Sequence, residues 1–196
     1  IGAFAFYRCT NLTRVVIPKS VVEIADRAFA DCTALSEIQA DAGNPFYCVI
    51  NGLLLNRDGS VLYQCLPITS GVLVIPDGVI KIADGAFAGC RSLTEVIIPG
   101  SVRDIGWYAF AGCMGLTHVT IPEGVTSIAD DAFAGCTGLI DVAVPKSVAY
   151  IGSGAFENTG LAEETIQAIY SQAKETELEL MQEPFQWPGY PGDEEK

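Results

Sequence analysis

The chain is 196 residues long, 49% apolar and 18% charged, with a net charge of -13 at pH 7. Such a composition describes a packed protein rather than a disordered one, and the acidity excludes a phosphate-backbone partner, which needs lysine and arginine to displace counterions. No apolar run reaches the ~20 residues of a membrane-spanning helix.

A phrase recurs from the first residue onward. Phe6, Phe29, Phe87, Phe110, Phe133 and Phe156 each follow an alanine, and all but one step between them is 23 residues. Five positions before each stands Ile1, Ile24, Ile82, Ile105, Ile128 or Ile151. Cysteine follows at Cys9, Cys32, Cys90, Cys113 and Cys136, then leucine at Leu12, Leu35, Leu93, Leu116 and Leu139. A hydrophobic pair such as Val96/Ile98 or Val119/Ile121 comes next, closed by Pro18, Pro99, Pro122 or Pro145.

A 23-residue unit is too short to close its own core, so it must bury its apolar face against its neighbours. The L-x-x-V-x-I end alternates as a short strand does, and the proline stops it. The predicted fold is therefore an α/β repeat solenoid over residues 1–158, with one short parallel strand per repeat. The Ala-Phe segment and its isoleucine run back as short turns or 3₁₀ pieces, and the phenylalanines form one interior spine.

The single long step, 58 residues, spans an insertion at about 41–72. Asn51-Gly52 and Asp58-Gly59 are tight-turn dipeptides between apolar runs. They predict a three-stranded meander at about 47–50, 53–56 and 61–65. Paired through those turns, Cys48 faces with Leu55 and Leu62, while Cys65 lies near Gly52 on the other side.

After the last repeat, Thr159 stands where cysteine is expected and Ala162 where the core leucine is expected, with Leu161 adjacent. Residues 159–181 predict a capping helix with Ile166, Ile169, Tyr170 and Ala173 on one face. Residues 182–196, rich in proline, glycine and acid, predict a linker or tail whose Phe185, Trp187 and Tyr190 can dock on the solenoid or a partner. The chain opens on Ile1, inside the phrase and without a basic segment leading into an apolar one. It reads as part of a longer protein.

The phrase I-x-x-x-A-F-x-x-C-x-x-L and the N-P-x-[FY] … D-G-x-L insertion resemble the BspA-like, or Treponema pallidum type, leucine-rich repeats over residues 1 to about 158. That resemblance implies a right-handed solenoid and a bacterial, extracellular or cell-surface adhesin that binds matrix or host proteins.

Candidate chemistry is sparse. The cysteines lack a CxxC pair and the one histidine is His118, so a buried thiol column is expected rather than a metal or redox centre. Asp26, Asp84 and Asp130 recur at one repeat position and read as turn-stabilising side chains. No base, nucleophile and orienting group come together in the pattern, so neither catalytic residues nor cofactors are expected.

What remains is surface. Outward strand positions form one column of Arg14, Glu37, Glu95, His118 and Asp141, and a second that includes Val16, Gln39, Val74, Ile97 and Thr120. They vary while the core does not. A protein-binding face and an unconstrained solvated face both fit that contrast. Trp107 and Tyr108 stand at a turn, as a second contact or as local packing. The expected function is a non-catalytic protein-binding module, with a structural stalk as the alternative. End-to-end or side-by-side self-association through open solenoid edges is also anticipated.

Overall fold

Each L-x-x-V-x-I stretch is extended, because its alternate residues can be buried while its backbone pairs with the coils on either side. In the computed structural model, which describes residues 1–182, β1 (Arg14–Ile17) and β2 (Glu37–Ala40) form a parallel pair with Arg14 opposite Glu37. The insertion follows as β3 (Tyr47–Ile50), β4 (Leu53–Asn56) and β5 (Val61–Cys65), an antiparallel meander. These strands fall where the two turn dipeptides place them.

The remaining coils alternate longer and two-residue strands: β6 (Gly71–Val74), β7 (Lys81–Ile82), β8 (Leu93–Ile97), β9 (Asp104–Ile105), β10 (His118–Thr120), β11 (Ser127–Ile128), β12 (Asp141–Ala143) and β13 (Tyr150–Ile151). Two sheets result, one ordered β12-β10-β8-β6 and the other β13-β11-β9-β7-β5-β4-β3. The second sheet goes beyond the one strand per repeat that the pattern predicts. Its isoleucines are not in turns: Ile82, Ile105, Ile128 and Ile151 stack in parallel register.

The Ala-Phe segments are turns, and each bends the chain at two left-handed residues. One lies two before the phenylalanine (Phe4, Arg27, Gly85, Tyr108, Asp131, Gly154) and the other two after it (Arg8, Asp31, Gly89, Gly112, Gly135, Asn158), with φ between 54° and 80° throughout. The phenylalanine N–H then donates to an alanine carbonyl one coil on, as in Phe87 to Ala109 at 2.7 Å and Phe110 to Ala132 at 2.7 Å. Inter-coil hydrogen bonds of this kind offset the backbone strain of non-glycine residues there.

The spine is in two pieces, not one. Phe87, Phe110, Phe133 and Phe156 are fully buried and stack at 4.6, 5.0 and 5.4 Å, while Phe6 stacks on Phe29 at 5.4 Å. Between the pieces stands the meander, both of whose faces are covered. Leu53, Leu55 and Leu62 belong to the larger core, Tyr47 and Leu54 to the smaller one.

A bulge in β5 corrects one expectation. Leu55 opposes Leu62 but Leu54 opposes Gln64, so Tyr63 is an extra residue. Inserting one residue reverses which face the following side chains occupy. Cys65 thereby turns to the same core as Leu55 and Leu62, not the opposite side. Its N–H donates to Ala86 at 2.7 Å, the bond a phenylalanine makes in other coils.

The cysteines are free thiols. Cys32, Cys90, Cys113 and Cys136 are buried, but Cys9, on the outer side of the first coil, is exposed, contrary to an all-inward column. The residue type has a clear use: the Cys32, Cys113 and Cys136 thiols donate to the carbonyls of Phe6, Phe87 and Phe110 in the preceding coil, at 3.0, 3.2 and 3.1 Å. A side-chain hydrogen bond with Cys65, then burial, push the Cys90 thiol well up; a bond with Cys136, then burial, do the same for Cys113. Both stay protonated and inert.

The helix α1 (Glu163–Gln182) covers the far end. Ile169 and Ala173 are buried, and Ile166 and Tyr170 pack on the core. Leu161 fills the core position, while Ala162 is exposed. The Tyr170 hydroxyl accepts the Ala155 N–H at 3.1 Å and donates to the Gly152 carbonyl at 2.9 Å. Those two bonds tie the helix to the last Ala-Phe turn. Phe185, Trp187 and Tyr190 lie outside the described residues.

Candidate binding face

The parallel register sets the outward rows. In the larger of the two outward-facing sheets, Val72, Glu95, His118 and Asp141 stand side by side, as do Val74, Ile97, Thr120 and Ala143. Alternation sends Val96, Val119 and Val142 into the core and these residues to solvent. Val72, absent from the anticipated row, belongs to it because it stands one 23-residue repeat before Glu95 and pairs with it, the register irregularity being confined to Gly71.

Arg14, Val16, Glu37 and Gln39 occupy the same repeat positions but lie on the separate β1-β2 sheet. Three of them are tied together. Arg14 sits 3.2 Å from Glu37 and donates to Gln39 at 3.1 Å, while Gln39 donates to Glu37 at 2.6 Å. The single row expected from the sequence is thus two shorter ones.

Glu95, Ile97, His118 and Thr120 meet around a shallow cavity of about 190 Å³ between β8 and β10. Beside it Val72, Val74 and Ile97 are roughly half exposed, at 57%, 61% and 47%. The face is acidic at Glu95 and Asp141 and apolar at its β6 edge. His118 contacts Thr117 Oγ1 at 3.0 Å through Nδ1. Among the described residues, no group of three or more His, Cys, Asp or Glu is placed to hold a metal.

Two of the three recurrent aspartates, Asp84 and Asp130, bond from coil to coil. Asp84 Oδ1 accepts the Trp107 N–H at 3.0 Å, and Asp130 Oδ1 accepts the Ser153 N–H at 2.9 Å. In the insertion, Asp58 Oδ1 accepts from the Ser60 N–H and hydroxyl at 2.9 and 2.6 Å. These carboxylates brace turns.

Trp107 is 53% exposed. Tyr108 turns the other way and packs against Arg27, whose guanidinium lies 4.2 Å from its ring centre. Arg27 escaped sequence reasoning, although it holds the same repeat position as Tyr108. Aligning the coils on that position is the signal that could have found it.

The folds of known proteins bear on this arrangement. By structure the chain is similar to the pneumococcal vaccine antigen PcpA (TM-score 0.70, 23% identity, 72% of this chain and 35% of that one). It is also similar to a leucine rich cell surface protein from Faecalibacterium prausnitzii (0.59, 29%, 81% and 50%) and to a leucine-rich repeat protein from Bacteroides ovatus (0.52, 27%, 82% and 45%). The chain therefore spans about a third of the first and about half of the other two. No curated protein matches it by sequence. A family model of the BspA type leucine rich repeat region matches in six copies, over residues 1–44 and 58–176. The residues it passes over hold β3 and β4, and the coils on either side carry the repeated phrase: the chain belongs to the BspA-type leucine-rich repeat family.

Proposed function

We propose that the chain is a non-catalytic protein-binding module of a bacterial cell-surface or secreted protein, adhesin-like, and that it engages its partner through the exposed face of β6, β8, β10 and β12. One observation carries this reading. Inward positions repeat nearly unchanged from coil to coil, whereas outward ones change charge, size and polarity around a shallow cavity. A rigid scaffold with a variable face suits recognition. The β1-β2 row, whose polar side chains already satisfy one another, is a secondary contact. A surface location is supported by the likeness to the Faecalibacterium cell surface protein.

The test is a binding screen of the whole chain against extracellular matrix and host-surface proteins, followed by single alanine changes at Arg14, Glu95, Ile97 and His118. Loss of about tenfold or more in affinity on changing Glu95, Ile97 or His118 is expected. Binding that ignores all four changes removes this face. A folded chain that captures no partner is a stalk.

A further inference from the structure

On the edge formed by the Ala-Phe turns, away from the strand face, Tyr7, Arg8, Arg27, Asp31 and Tyr108 wall a cavity of about 220 Å³ floored at Ala111 and Gly112. The repeat creates it. Arg27 and Tyr108 occupy one left-handed column, Arg8, Asp31 and Gly112 the other. Between Arg27 and Tyr108 the first column carries Gly85, so the two long side chains meet over a position with no side chain of its own. In the second column, a Cβ on Gly112 would touch nothing within 4 Å, which leaves the floor open.

Arg27 is the unusual member. Its guanidinium lies 4.2 Å from the ring centre of Tyr108, 5.0 Å from Phe4 and 5.5 Å from Tyr7. Among the described residues, its buried Nε has no hydrogen-bond partner and its side chain makes no ion pair. A clamp alone would not leave a buried donor unmatched, since such a donor costs free energy unless something accepts from it. Arg8, by contrast, is paired with Asp31 at 3.6 Å.

The charges around the cavity nearly cancel. Arg8 is paired with Asp31, and beside the Tyr108 hydroxyl the charge of Arg27 is opposed by that of Asp131, which raises the hydroxyl's pKa. An anion or a cation gains little there. A ligand that accepts and donates at once, with an apolar flank for the rings, gains from every wall. We propose that this cavity binds a neutral sugar ring, with hydroxyls accepting from Arg27 and Arg8 and donating to Asp31, and with a C–H face laid on Tyr108. The size suits one ring. This site is independent of the strand-face reading.

The experiment titrates methyl glycosides of glucose, galactose, mannose and N-acetylglucosamine into the whole chain, with acetate and methylammonium as charged controls, and follows backbone amide NMR signals. At least one glycoside is expected to give saturable shifts at Arg27, Asp31, Tyr108 and Gly112, with a dissociation constant of roughly 1–10 mM for a single ring. Arg27→Lys and Asp31→Asn should each weaken it by about tenfold, and His118→Ala should leave it unchanged. Lactose binding as tightly as the methyl galactoside assigns the site to a glycan end, and its exclusion to a free monosaccharide. No saturation by any glycoside up to about 100 mM, tighter binding of acetate or methylammonium, or unaltered binding by both folded variants overturns the proposal.

Discussion

The Arg27 guanidinium and the Tyr108 ring stack at 4.2 Å across Gly85, joining the two-coil block to the coils beyond the insertion. Among the described residues, no strand pairing links β2 to β6 at this junction, so the contact bridges a place where the first sheet is interrupted. A double-mutant cycle with Arg27→Met and Tyr108→Ala should show a coupling of about 0.5–2 kcal/mol in urea unfolding. Strict additivity would mean the stack contributes nothing.

The two spines differ in depth. Phe110 lies between two stacked neighbours and is fully buried, whereas Phe6 is 37% exposed and has one. Phe110→Ala should cost about 3–5 kcal/mol, and Phe6→Ala clearly less. Equal losses in chemical denaturation would contradict the packing described.

Thiol reactivity should follow position. Cys9 is exposed and should alkylate first in the native protein, with half-buried Cys48 slower. Cys32, Cys90 and Cys113, their pKa values raised, should react only on unfolding. Mass spectrometry of timed iodoacetamide samples reads this directly, and early labelling of Cys113 would count against the column.

Two glycines separate strain from collision. Gly112 has φ 71° and open space where a methyl group would stand, so Gly112→Ala should cost about 1–2 kcal/mol from the left-handed backbone alone. At Gly138 a Cβ would fall on the Met114 carbonyl of the preceding coil. Gly138→Ala should therefore cost more, because backbone must move. A smaller loss at position 138 would refute the close approach.

Asp84 gives a signed pH dependence. Burial first, countered by the Trp107 N–H, raises its pKa above the ordinary 3.8. A raised carboxyl favours folding while protonated, and that contribution is lost as pH rises through the folded value. Asp84→Asn keeps an acceptor for Trp107 but does not titrate. Its thermal midpoint relative to the wild type should thus climb from acid to neutral pH. A relative midpoint that falls over that range would show that the charge itself stabilises.

Much of this fold is legible in the sequence because it is written repeatedly. Phe87, Phe110 and Phe133 announce the coil by period, and Asn51-Gly52 and Asp58-Gly59 place the meander by backbone chemistry. What stays hidden depends on how unlike coils abut. The extra residue at Tyr63 carries no composition signal, yet it decides which core receives Cys65. The split of the outward rows into β1-β2 and β6-β12 arises from the inserted strands. Arg27 meets Tyr108 only because Gly85 intervenes, which no single repeat reveals.

The meander works as a bulkhead. With Leu54 sealed against one compartment and Leu53 and Leu55 against the other, a breach on one side need not flood its neighbour. Turns of the spiral could be gained or lost at either flank during evolution while the opposite flank keeps its own lining. Length and outward-facing surface can then drift separately along one continuous rod.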